Sequence, residues 1–229
     1  MGGVAPQWAL DWRRRWRLRR TPLGPMHDYL SAPFPRRSLD YRQAEYVAVD
    51  LETTGLDPHR DQILSIGWVR LRGTRIDLSS AHHRLVRVQG AIPADSAVIH
   101  QITDDVAATG LDLAAALPEF LRDLKGRVMI AHHARVEQTF LGAACKQLFG
   151  CGLLVRTVDT QSIARRLFER RQIAFKGADL RLHALGERYN LPRYSAHNAL
   201  SDALAAAELF LAQAAYRDNG RGMALAEFL

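Results

Sequence analysis

The placement of apolar and polar side chains divides the chain into a run of strands and then alternating helices and strands. Val47-Ala48-Val49 leads into Asp50-Leu51-Glu52, the pattern of a buried strand that ends in acid. Residues 62–71 predict a second strand. Gly73 and Thr74 turn it into a third over 75–88, and connections this short imply an antiparallel meander. From Pro93 the pattern becomes helical, with short pieces at 95–100 and 103–108 and a longer helix over 112–124 closed by Gly126. A strand at 127–131, a helix over 135–149, a strand at 153–158 and helices over 160–169, 180–189 and 199–216 follow. Three strands followed by alternation predict an α/β domain with helices layered on a mixed sheet.

The first forty residues break this pattern. Trp8, Trp12 and Trp16 recur at every fourth position among Arg13, Arg14, Arg15, Arg17, Arg19 and Arg20, which as a helix gives an aromatic stripe with basic flanks. Pro22, Gly24, Pro25, Pro33 and Pro35 then predict an irregular linker. Residues 1–40 therefore read as a separable extension, 41–216 as the domain and 217–229 as a C-terminal tail. Charge supports the division. Residues 1–37 hold eight arginines against Asp11 and Asp28, a net +6 of the chain's +7, so the body is nearly neutral. Such a segment suits a protein partner, an anionic surface or nucleic-acid phosphates, and reads as well as a basic helix that is solvated or packs on its own chain.

Composition excludes several classes. No apolar run approaches the roughly 18 residues of a membrane span. The arginines are followed by no apolar stretch of the secretory kind. Two cysteines, Cys145 and Cys151, make no disulfide framework and lack metal-site spacing, so free thiols in a cytoplasmic protein are expected.

The candidate chemistry is acidic. Asp50 and Glu52 lie two apart, so on a strand both carboxylates leave one face of the sheet. Their repulsion is relieved by a shared cation, and an oxygen-only ligand set suits Mg²⁺ or Mn²⁺. Glu137 heads an apolar stripe with Leu141, Ala144 and Leu148, which aims it at the core or a cleft. Taken alone it reads rather as an acid favoured by the helix dipole. His197 falls at the entrance of the last helix and Asp202 in its first turns; as a lone pair they read as a cap and a surface acid.

Together these motifs resemble the DEDDh 3′→5′ exonucleases, the family of the proofreading epsilon subunit of bacterial DNA polymerase III. The resemblance covers residues 45–213. It rests on Val49 to Pro58, on Val98-Ile99-His100-Gln101-Ile102-Thr103-Asp104, on Val158-Asp159-Thr160 and on His197-Asn198-Ala199-Leu200-Ser201-Asp202-Ala203. The chain departs from the family at His132-His133-Ala134-Arg135-Val136-Glu137, where Glu137 stands in place of an aspartate. The resemblance implies an RNase H-like fold with a five-stranded mixed sheet. It implies two divalent cations, Mg²⁺ or Mn²⁺, held by Asp50, Glu52, Glu137 and Asp202, with His197 as the base. It also implies Thr53 and His100 as contacts to substrate, DNA as the substrate and nucleoside 5′-monophosphates as the product. An exoribonuclease of the same fold and a nucleic-acid-binding scaffold with an impaired site are the alternatives. Arg165, Arg166, Arg170 and Arg171 are candidates for a substrate rim or for a solvated helix face.

Overall fold

Period-two alternation along the first strand sorts the molecule into two cores. The computed structural model describes residues 7–195 and 197–229, apart from the side chain of Ile99. Residues 1–6 of the expected extension lie outside the described residues. The strands are β1 (Glu45–Thr53), β2 (Ile63–Arg72), β3 (Arg75–Leu85), β4 (Val128–Ala131) and β5 (Thr157–Asp159). They form a sheet in the order β3-β2-β1-β4-β5. β1, β2 and β3 pair antiparallel, whereas β4 lies parallel to both β1 and β5. The helices are α1 (Gln7–Leu18), α2 (Pro25–Ser31), α3 (Ala94–His100), α4 (Asp104–Ala108), α5 (Leu113–Leu124), α6 (Arg135–Phe149), α7 (Thr160–Arg170), α8 (Leu182–Arg188) and α9 (Ala199–Arg217).

Val47, Val49 and Leu51 enter a core completed by Phe120 and Leu121 of α5 and Phe140 and Leu141 of α6. Tyr46 and Ala48 enter the opposite core, where Ala207, Phe210 and Ala214 of α9 cover the sheet. Asp50 and Glu52 continue that second row, so they emerge on the face that α9 covers. The expected α/β architecture, with a five-stranded mixed sheet flanked by helices, is the one observed.

Three local expectations are corrected. The strand expected over 153–158 contracts to Thr157–Asp159. Carbonyls just before it are taken by side chains: Tyr29 Oη donates to Leu154 O at 2.8 Å and Arg17 Nη1 to Gly152 O at 2.6 Å. The expected linker contains α2, with Pro25 at its first turn, and its Met26, Tyr29 and Leu30 are at most 2 % exposed. Burying side chains of this size stabilises by about 1.5–3 kcal/mol each. The segment expected to be a separable extension is thus part of the core. Residues 217–229 form no loose tail either. Leu225 and Phe228 are fully buried, and Leu225 N–H donates to Leu39 O at 2.8 Å.

The arginine run on α7 also finds local partners. Arg166 donates to the carbonyls of Leu229 and Phe228, and Arg171 to the hydroxyl of Tyr216. Cys145 is buried and both cysteines are free thiols. Among the described residues no helix is long and apolar enough to cross a membrane.

Candidate active site

The site forms where β1 ends against the start of α9. Opposite Asp50 on β2 stands Gly67. Any side chain at Gly67 would collide with the backbone of Ala199 and Leu200, so α9 rests its first turn directly on β2. This contact brings Asp202, in the first turn of α9, over the end of β1. The cap is local: Asn198 Oδ1 accepts from Ser201 N–H at 3.1 Å.

Oxygens of Asp50, Glu52 and Asp202 lie within 4.8 Å of one another. Glu52 and Asp202 are 4 % and 8 % exposed. Glu137, from the first turn of α6, is 2 % exposed. Glu137 stands outside the three-carboxylate group, yet its charge acts on Asp50. Desolvation, then the charges of Glu137, Glu52 and Asp202, raise the Asp50 carboxyl well above its ordinary range. Burial first, opposed by a backbone hydrogen bond and reinforced by Asp159 and Glu52, pushes Glu137 up to about 8. Burial, with Glu52 adding to it, also raises Asp202.

His197 takes a left-handed backbone, φ 64°, just before the helix. Its N–H donates to Asp202 Oδ2 at 2.9 Å. The His197 side chain is exposed, and its ring stands edge-on to that of His100 with centroids 5.9 Å apart. His100, expected to face substrate, pairs through Nδ1 with Glu52 Oε2. Thr53, the other expected substrate contact, is 7 % exposed and donates its hydroxyl to Gly55 O at 2.6 Å, which shapes the turn after β1. The strand is bulged there, between Glu52 and Thr53.

The neighbouring polar groups are structural. Asp159 caps α7, accepting from Gln161 and Ser162 N–H, and also holds His133 N–H at 3.1 Å. His132 Nε2–H donates to Leu180 O at 2.9 Å and Nδ1 accepts from the Thr160 hydroxyl at 2.8 Å. Burial lowers its pKa to about 4, so this tautomer is neutral. Two further histidines carry no signal in the sequence. His183 Nε2 lies 3.9 Å from Asp202 Oδ1. His83, paired across from Gly67 on β3, has a buried Nε2 without a hydrogen-bond partner among the described residues.

The donor set fits divalent cations. Glu52 Oε1, Glu137 Oε2 and Asp202 Oδ1 are buried without a hydrogen-bond partner among the described residues. Orphaned carboxylate oxygens at this depth are costly unless a cation or proton meets them. All are hard oxygen donors, as Mg²⁺ and Mn²⁺ require.

The chain has relatives. A family model of the RNase T type, described as exonuclease, matches residues 47–210. Over 171 residues the chain is 31 % identical to a PolC-type DNA polymerase III of Thermotoga maritima, covering 75 % of this chain but 12 % of that one. It is 30 % identical over 182 residues to a DNA polymerase III subunit epsilon of Treponema pallidum, covering 80 % of this chain and 82 % of the relative. A zinc-bound Escherichia coli ExoI–ssDNA complex has the same fold, with a TM-score of 0.67 at 14 % identity over 76 % of this chain and 41 % of that one.

Proposed function

The chain belongs to the RNase T exonuclease family, and from that premise we propose that it is a cation-dependent 3′→5′ exonuclease. It removes nucleoside 5′-monophosphates from DNA ends. The observation that carries this reading is the group of Asp50, Glu52 and Asp202, with oxygens within 4.8 Å of one another, beside exposed His197.

Asp50, Glu52, Asp202 and Glu137 would hold two Mg²⁺ or Mn²⁺ ions, which when bound supply counter-charge to the phosphate and lower the pKa of water. The protein's own groups do the rest. His197 accepts the proton of the attacking water, a task suited to imidazole near neutral pH. Its N–H contact to Asp202 fixes where the ring starts. The water oxygen bonds to the phosphorus of the terminal phosphodiester, the bond to the 3′ oxygen of the preceding nucleotide breaks, that oxygen takes a proton from solvent, and the released nucleotide keeps its 5′ phosphate. His100, held by Glu52 and edge-on to His197, walls the place where the last nucleotide sits. Thr53 acts through the turn that shapes this wall.

DNA is the proposed substrate because one relative is named a PolC-type DNA polymerase III and another a subunit epsilon of DNA polymerase III. Free Cys145 and Cys151 fit a reducing cytoplasm. A protein or an anionic surface, met through residues 1–37, is the second proposed partner class. The test uses matched DNA and RNA oligonucleotides labelled at the 5′ end. Shortening by single nucleotides, faster on DNA, supports the proposal. Faster loss of RNA moves the substrate assignment, and internal cleavage rejects the exonuclease reading.

A further inference from the structure

On α1 the tryptophans face solvent. Trp8, Trp12 and Trp16 are 74 %, 62 % and 46 % exposed. They follow one another at every fourth residue, a stripe of roughly 12 Å along the axis. Solubility does not favour three adjacent exposed indoles, and a patch of this kind marks an interaction surface. The opposite face of the helix is committed to the protein. Leu10 is buried, Arg14 Nη1 donates to Leu30 O at 2.7 Å, and Arg17 Nη1 donates to Gly152 O. Gln7 accepts from Arg156 Nη2 at 2.8 Å. The helix is thus bolted down with its aromatic face outward.

Charge defines the partner. Arg13 and Arg15 flank the stripe on either side, Arg19 follows it, and all three are exposed without an ion pair among the described residues. Arg20 stacks its guanidinium over Trp16 at 4.0 Å. The one acid of the helix, Asp11, accepts from Gln7 at 2.8 Å. Indoles in the centre and guanidiniums at the edge match the boundary between acyl chains and anionic headgroups.

Position and shape favour a lipid surface over an extension of the substrate track. The cavity beneath α1 is lined by Gln7, Arg14, Glu45 and Gly126. Glu45 begins β1, five positions and roughly 17 Å from Asp50. The candidate active site lies at the other end of the strands. Single-stranded nucleic acid is held in grooves lined with aromatics, whereas this face is a convex helix. We propose that the Trp8–Trp12–Trp16 face of α1 seats the protein on an anionic phospholipid surface, with the candidate active site turned to the solvent.

Full-length protein is sedimented with phosphatidylcholine vesicles, with and without phosphatidylserine. Binding to the anionic vesicles is expected to exceed binding to the neutral ones by on the order of tenfold to a hundredfold. It fades as salt rises through about 0.1 M. Trp68 is already fully buried, so a blue shift of the emission on vesicle addition reports the three indoles of α1. Trp8→Ala/Trp12→Ala/Trp16→Ala and Arg13→Glu/Arg15→Glu/Arg19→Glu change exposed side chains and should keep the melting temperature and activity on short oligonucleotides while losing vesicle binding. No preference for anionic vesicles, or binding that survives both variants, overturns the proposal. So does emission that responds to a mixed-sequence single-stranded oligonucleotide through the same residues and not to vesicles, which would make the face a nucleic-acid contact.

Discussion

The backbone N–H of His197 donates to Oδ2 of Asp202 at 2.9 Å, so the histidine and the acid are placed as one unit. The left-handed backbone of His197 makes the contact possible, and histidine is among the residues that tolerate that region. His197→Ala keeps this backbone bond and removes only the ring. We expect turnover to fall about 10²- to 10⁴-fold, the usual cost of losing a general base, with metal affinity unchanged and the melting temperature slightly lowered, because alanine takes the left-handed backbone less readily than histidine. Metal affinity that falls while the rate at saturating metal stays normal would make His197 a ligand.

Gly67 controls how closely α9 meets the sheet. A methyl there collides with backbone atoms of Ala199 and Leu200, which a rotamer change cannot relieve. Gly67→Ala should therefore push the first turn of α9, and Asp202 with it, away from Asp50. Overpacking of this kind costs about 1–3 kcal/mol. The expected result is a lower melting temperature with activity reduced by two orders of magnitude or more, as a misplacement of about 1 Å allows.

Glu137 is where charge and pH meet. Its folded pKa, near 8, lies above the ordinary carboxylate value, so the folded state binds the proton more tightly than the unfolded chain. Stability from this group is present below the unfolded pKa and is lost as pH rises from there toward 8. In metal-free protein, Glu137→Gln removes that loss. The variant should gain on the order of 1–3 kcal/mol over wild type at pH 8, and little at pH 4. Denaturant unfolding at the two pH values measures it. With metal, Glu137→Gln should lose most activity and Glu137→Asp should keep it, because the charge matters more than the reach. The longer side chain suits the strict geometry of Mg²⁺ poorly, so Mn²⁺ should support faster turnover in wild type.

Removing residues 1–37 takes Leu10, Met26, Tyr29, Leu30 and Phe34 out of the main core. At about 1.5–3 kcal/mol each, their loss is comparable with the whole stability of a domain, about 5–15 kcal/mol. The truncated chain should be unfolded or molten by near-ultraviolet circular dichroism. A cooperative, native-like melt would return these residues to the status of an extension.

Much of this was legible in residue pattern. The alternation of β1 placed Asp50 and Glu52 on one face, and the boundaries of α6 follow from its apolar stripe and Gly150, which adopts the left-handed cap. The N-terminal segment hides its helix because Pro25 has the look of loop punctuation, whereas proline at the first turn also starts helices. At the C-terminus, Leu225 and Phe228 are too few to form a recognisable period, yet both are fully buried. The pairing of His100 with Glu52 and the approach of His183 to Asp202 are tertiary and leave no spacing to read. Gly67 falls within the strand expected over 62–71, and its reason lies in a helix more than a hundred residues later.

The most direct test of the central claim is product release by wild type and Asp50→Asn on one single-stranded DNA oligonucleotide, with Mg²⁺ or Mn²⁺ and with chelator. The Asn keeps the shape of Asp50 and removes its charge from the group formed with Glu52 and Asp202. Wild type should release nucleoside 5′-monophosphates one at a time from the 3′ end with metal and none with chelator, and folded Asp50→Asn should release none in any condition. Wild-type-like release by folded Asp50→Asn, or release by wild type in chelator, would contradict the account.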